Sequence, residues 1–505
     1  MITILNKFTD VIRMDIDKDH SRPLFIHWKS EYPEIHQLVD ELYNMFSREA
    51  FEATFGRSNN QGRCSPKQRI YIIIVDLYAA WLDESKLSIG FSRDRNAYTP
   101  NSRYNEQSVP YSIVKVIDWL EHQGFIQTTL GNYDHHGYGR SYVSRMIATG
   151  KLRQKFEKLQ NSIQQVEQNF ERELIILKSK GDDDKQSKRI EYKDNEIIAR
   201  MRDKLLAYNR LLDKTFIDIP FLDEPIATWA NDNGELHRVR ISQTDKVVRR
   251  IFNNNSWESG GRFHGGFWQR LKTDYRKSIW INDAPTIELD YSAMHPSILA
   301  AQEGICQPES FYNYGEGLID EVHNPDHQRK IVKSLFLILF NAINKSIAFQ
   351  AFRNQYSDGS LEKSLTNNQL ERIVKTILKR HPYLEKHIFS DCGLKLMHIE
   401  SQIAEKLMTA FTKKGIAILM VHESFIVNVV HAVTLSNDMK IASKEVLGSP
   451  LKFPDSDERL KLDFLAITDP EHYETTIERY NDRSLHKAGY YQRLKAFKDY
   501  QHIRS

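Results

Sequence analysis

Apolar positions along the chain fall into readable periods. Residues 67–82 are apolar on nearly every face and read as a buried helix, interrupted by one acid, Asp76. Ile113, Val116, Ile117 and Leu120 recur at three- and four-residue intervals. That spacing predicts an amphipathic helix, opened by Ser108 and Pro110 and closed by Gly124. Residues 125–130 and 141–147 read as strands joined by a Gly/Tyr/His-rich turn at 131–140, where His135 and His136 lie. Helix, helix and ribbon are the outline of a winged helix, a module that often lays its second helix in a DNA groove. The plainer alternative is a packing domain without a ligand. Further on, Leu152, Phe156, Leu159, Ile163, Val166 and Phe170 alternate spacings of four and three, which predicts a coiled-coil-like helix. Short strands follow at 174–177 and 190–192, and then a helix capped by Asp194 or Asn195 that runs to Leu212. The expected organisation is a winged-helix-like domain at 1–150, a helical linker with short strands at 151–214, and a catalytic core at 215–505.

Composition narrows the class. The 505 residues are 40% apolar and 27% charged, ordinary for a folded protein and unlike a disordered one. A net charge of +3 permits nucleic-acid binding without arguing for it, because local clusters decide that. Cys64, Cys306 and Cys392 are far apart and form no CxxC pair, which argues against a disulfide framework and a structural zinc and suits the cytoplasm. The apolar stretch 1–5 is too short for a signal peptide. The apolar runs 70–82 and 331–343 carry charges and fall short of the roughly 18–20 residues of a membrane span, so no membrane association is expected.

Candidate chemistry lies in 249–430. Thr286-Ile-Glu-Leu-Asp290-Tyr-Ser-Ala-Met-His295-Pro-Ser-Ile298 sets an acid at the end of an apolar strand, directly before a helix-like segment. Ile418-Leu-Met-Val-His422-Glu423-Ser-Phe-Ile-Val427 reads as a hairpin with a polar turn. A carboxylate among so much apolar surface is costly unless a cation or donors offset it. Two carboxylates at adjacent strand ends suit two Mg²⁺ or Mn²⁺ ions about 3.5–4 Å apart, as in phosphoryl transfer. In Arg329-x-x-x-Lys333-x-x-x-Leu337-x-x-x-Asn341, four-residue spacing places two cations on one helix face, suited either to a triphosphate or to a solvated edge. Arg262, Arg270, Lys272, Arg276 and Lys277 surround one acid, Asp274, and interleave with Phe263, Phe267 and Trp268. That mixture reads either as a single-strand track or as a basic loop over core aromatics. Glu288 shares a strand face with Asp290 by the period of two.

In order and character these segments resemble motifs A, B and C of single-subunit polymerases, the family A DNA polymerases and phage-type RNA polymerases. Asp290-Tyr-Ser resembles motif A. Arg329-x-x-x-Lys333 resembles the fingers helix of motif B, and Val421-His-Glu-Ser-Phe resembles motif C. Gly260-Gly-Arg262-Phe and Gln269 look like the segment that touches primer–template, and Glu400-Ser-Gln402 like the Gln-containing helix before motif C. Three positions depart from the pattern. Glu423 stands where the family has Asp, Asn341 where it has Tyr, and His295 where a Glu or Tyr meets the sugar 2′ position.

The resemblance implies an α+β, right-hand polymerase core of palm and fingers. Asp290 and Glu423 would hold both metals, with the Tyr291 carbonyl as a further ligand. Lys333 and Arg329 would grip the triphosphate, and His295 and Asn341 would border the nucleotide. Arg262, Arg270, Gln402 and His422 would meet the primer–template. The implied partners are nucleic acid and nucleoside triphosphates, with DNA synthesis favoured slightly. The alternatives are a retired polymerase fold that binds nucleic acid in replication, a template-independent terminal transferase or primase, and a metal-dependent nuclease, which would need no Arg329/Lys333 pair.

Overall fold

The computed structural model describes residues 16–17, 20–56, 64–132, 141–159, 166–170, 172–181, 187–231, 234–453 and 482–504. They form an α+β chain of helices and mainly antiparallel sheets. Two compact units divide it: Met1–Glu173 with Thr228–Arg238 and Ala496–Ser505, and Leu174–Ala227 with Val239–Lys495. Among the described residues no helix is long and apolar enough to cross a membrane.

The first unit contains β1 (Ser21–Pro23), α1 (Pro33–Asn44), α2 (Pro66–Asp83), β2 (Ser88–Phe91), α3 (Ser112–His122), β3 (Ile126–Thr129), β4 (Ser144–Ala148) and α4 (Gly150–Glu157). Its sheet runs β1-β2-β4-β3. Ser65 caps α2 by accepting from the Gln68 N–H, and Pro66 occupies the first turn, where its missing donor costs nothing. Asp76 is fully buried inside α2 and is saturated there. Arg22 approaches at 2.6 Å, the Trp28 indole donates at 2.7 Å and the Phe25 N–H at 2.9 Å. Asp76→Ala strands all three donors and is expected to cost about 3 kcal/mol. A drop in the urea midpoint of full-length protein measures it, and an unchanged midpoint would refute the assignment.

The heptad-like pattern does not give a coiled coil. The helix stops at Glu157, and the chain returns as the strand Glu167–Gln168, paired with Trp28–Lys29. Leu152, Phe156, Leu159 and Val166 enter the same core as α1–α3. Alternating spacings of four and three satisfy a globular core as well as a seam, and a seam needs a partner helix. Ile163 lies outside the described residues, as do Arg140, His135 and His136. Arg145, on β4, turns inward and stacks over Tyr142 at 5.2 Å.

The second unit begins with β5 (Ile175–Leu177), α5 (Glu196–Asp213), β6 (Ile217–Asp218), β7 (Val248–Phe252) and β8 (Gly260–Gly265). Next come β9 (Trp280–Ile281), β10 (Ala284–Asp290), α6 (Met294–Gln302), α7 (Pro325–Asn341), α8 (Lys345–Asn354) and α9 (Asn367–Arg380). It continues with α10 (Gly393–Lys413), β11 (Leu419–Val421), β12 (Ser424–Asn428) and α11 (Ala432–Leu447). Asn195 caps α5 through the Ile198 N–H. The central sheet is antiparallel throughout, in the order β11-β12-β10-β9-β6, and a smaller sheet runs β8-β7-β5. The C-terminal segment has no role legible in sequence, yet it locks the sheet edge. Arg493 forks onto buried Asp218 at 2.8 and 2.9 Å, and Tyr490 donates to Asp283 at 2.8 Å.

Candidate active site on the central sheet

β10 is buried along its apolar face and ends at Asp290. Its partner β12 pairs Asp290 with Ser424, so Glu423 is the neighbour one residue away in the adjoining turn. That turn has two residues between paired Val421 and Ser424, and His422 adopts φ 57 within it. Side chains rarely sit there, and the tight hairpin is what holds it. Ala293, at φ 49, makes the matching turn from β10 into α6. Tyr291 between them is 2% exposed and donates its hydroxyl to the Met439 carbonyl at 2.6 Å. Its ring is therefore an anchor, and only its backbone is left to face the site.

Asp290 reaches solvent although protein crowds it, the situation of a group on a concave floor. Burial and then the Glu423 charge push its carboxyl up to about 7; the Ser424 hydrogen bond and Lys333 offset this in part, and Glu288 adds to it. Glu288 is itself held by Arg276 at 3.1–3.3 Å. A carboxyl raised in the fold binds protons more readily there than in the unfolded chain. Metal-free stability should therefore fall as pH rises from the ordinary value of 3.8 towards about 7, then level off. Asp290→Asn should lose this contribution. Melting both proteins in EDTA across that window checks it, and parallel curves would refute the raised carboxyl.

Arg329, Lys333, Leu337 and Asn341 form an exposed stripe on α7, whose remaining apolar positions are buried. Lys333 acts on Asp290, and Arg329 lies over the Tyr312 ring at 5.8 Å. Asn341 is separated from them, about 12 Å beyond Lys333 along the helix. It packs onto Gly393, where a Cβ would collide with its side chain. Tyr312 was not legible as a site residue. It packs edge-on against Phe336 at 5.3 Å; burial pushes its hydroxyl up, Arg329 draws it down, and Glu423 and Asp290 push it up again.

A second cluster adjoins the first. Gly260 and Gly261 take φ 73 and 79, and a Cβ on Gly261 would lie 2.8 Å from the Phe252 ring of β7 and 3.0 Å from the Ser401 hydroxyl of α10, so β8 runs close to both. Arg262 then forks onto Glu400, whose other contact is His295. Burial alone would raise the Glu400 carboxyl, but the His295 hydrogen bond and the Arg262 charge outweigh it and hold it below its ordinary range. The His422 ring meets His264 edge-on at 5.8 Å; burial first, then His422 and Arg262, push His264 down to about 4.

Other expected contacts fall elsewhere. Gln402 is turned about 200° from Glu400 on α10 and donates to His398 at 3.2 Å, away from the cluster. Arg270 pairs with Asp245. The single-strand track fails for the aromatics: Phe263, Phe267 and Trp268 are at most 4% exposed, and the Trp268 indole donates to the Met420 carbonyl at 3.1 Å. They fill the core beneath the hairpin, where no base could stack.

Asp290 and Glu423 suit a hard divalent cation, which would relieve the repulsion between them. Among the described residues no group of three or more His, Cys, Asp or Glu converges as a ligand set. Backbone carbonyls, water and substrate phosphates would have to complete the coordination, which Mg²⁺ ordinarily accepts. No protein-family model and no curated relative matches the chain.

Proposed function

We propose that the chain is a metal-dependent nucleotidyltransferase, a template-using polymerase that joins a nucleotide from a nucleoside triphosphate to a 3′-hydroxyl and releases pyrophosphate. One observation carries this reading: Asp290 and Glu423 stand side by side at the ends of β10 and β12, with the Lys333 charge reaching Asp290 from α7. A nuclease would need the carboxylates but not the cationic stripe. In this reading the central sheet is a palm, α7–α9 are fingers, and α3 with the β3–β4 ribbon is a winged helix. The sequence resemblance points the same way.

Asp290 and Glu423 would hold two Mg²⁺ or Mn²⁺ ions, whose chemistry is to lower the pKa of the attacking hydroxyl and neutralise charge on the leaving oxygen. Lys333 and Arg329 present fixed positive charge to the phosphates, strongest where negative charge develops on departing pyrophosphate. The Tyr312 ring lies against Arg329, 5.8 Å from its guanidinium. Lys333→Ala and Arg329→Ala should raise nucleotide KM or lower kcat about tenfold or more, while primer–template affinity stays near wild type. A loss confined to primer–template affinity would reassign α7 to the nucleic-acid track.

Incorporation of each dNTP and NTP on defined primed and unprimed templates, with Mg²⁺ and with Mn²⁺, tests the whole reading. Template-directed extension supports it. Products independent of template sequence would make the chain a terminal transferase, and synthesis without a primer would make it a primase. Nucleic-acid binding without any synthesis would make it a retired polymerase fold.

A further inference from the structure

Two separate elements converge on a carboxylate carried by a third. Glu400 on α10 is 2% exposed. Arg262 on β8 donates Nε to Oε1 at 2.8 Å and Nη2 to Oε2 at 2.5 Å. His295, in the first turn of α6 and five residues beyond Asp290, meets the same Oε2 through Nε2 at 3.3 Å. An ionised carboxylate only accepts, so Nε2 carries the proton. Nδ1 is buried and has no partner among the described residues. An arginine–glutamate fork is already satisfied in itself. The additional histidine is what connects it to the strand end bearing Asp290.

We infer that Glu400 is a positioning residue that couples His295, on the sugar side of the nucleotide, to Arg262, on the primer–template side. Grip on nucleic acid and choice of sugar then change together. The inference rests on the polymerase reading. A lock that merely stabilised the fold would leave sugar choice untouched; among the described residues Arg262 and His295 both bond to Glu400 and no bond is seen between them.

The test is a double-mutant cycle read in two ways: primer–template Kd, and the ratio of kcat/KM for dNTP to that for NTP. Arg262→Ala should shift the sugar ratio about fivefold or more, although Arg262 bonds to Glu400 and not to His295. Glu400→Gln keeps the side chain's size and removes its charge. It should move both readouts, and in that background Arg262→Ala should no longer shift the sugar ratio. Melting curves show whether Glu400→Gln folds; if it does not, Arg262→Ala alone decides. An unchanged sugar ratio in Arg262→Ala overturns the coupling and leaves the polymerase reading standing. So does a uniform rate loss in Glu400→Gln with both readouts unmoved. A wild type that incorporates no nucleotide overturns both.

Discussion

Asp290→Asn should abolish nucleotide incorporation while nucleic-acid binding stays near wild type. The side chain keeps its shape and loses the charge that a cation needs. Metal charge stabilises such transition states by several kcal/mol, and each 1.36 kcal/mol is a factor of ten, so a loss of roughly a thousandfold or more is expected. The substitution should not unfold the protein. It removes the burial cost, and after it the repulsion from Glu423 and Glu288, that raise the Asp290 carboxyl, so the metal-free variant should melt no lower than wild type at pH 8. Primer extension and a melting curve on the same preparation check both halves. A folded Asp290→Asn protein that still extends primers would remove Asp290 from the chemistry and the polymerase reading with it.

The parts of the site legible in sequence were local. Asn195 announces a helix start because capping is settled within four residues. Asp290 and Glu423 stand out because an acid inside an apolar run is expensive and needs a reason. The stripe Arg329-Lys333-Leu337-Asn341 follows from helical periodicity, and all four are exposed. What sequence hid was pairing at a distance. Arg262 reads as a free cation until Glu400 arrives from α10, and Asp218 has no visible partner until Arg493 returns from the C-terminus. Phe263, Phe267 and Trp268 looked like a stacking platform because composition cannot separate an aromatic that faces solvent from one that faces the core. The same ambiguity made the pattern from Leu152 look like a seam. Asn341 kept its place in the stripe but lies too far along α7 to join Lys333, a consequence of rise per residue rather than of facing.

Glu423 decides between an active and a retired site. It follows His422 in a two-residue turn whose backbone is pinned on both sides by the Val421–Ser424 and Asp290–Ser424 pairs. An added methylene moves the carboxylate by about 1.5 Å along an extended side chain. In a rigid site such a displacement costs about a hundredfold. The hairpin is rigid, but the chain beyond Cβ is not, and Mg²⁺ asks only for oxygens near an octahedron. A site freed from catalysis would have no reason to keep a costly pair of acids side by side, with Asp290 driven up to about 7. The two acids, Ser424 and Lys333 are all in place around one strand end, which is the arrangement the proposed active site requires. Glu423→Gln should therefore remove incorporation, and Glu423→Asp should leave a measurable part of it, because a shorter carboxylate still carries the charge. Both are read by primer extension with Mg²⁺ and again with Mn²⁺, whose looser demands should favour Glu423→Asp. The opposite result, an inert wild type and a Glu423→Asp variant that gains activity, would mean that the natural glutamate switches the site off and that the fold serves as a binder of nucleic acid.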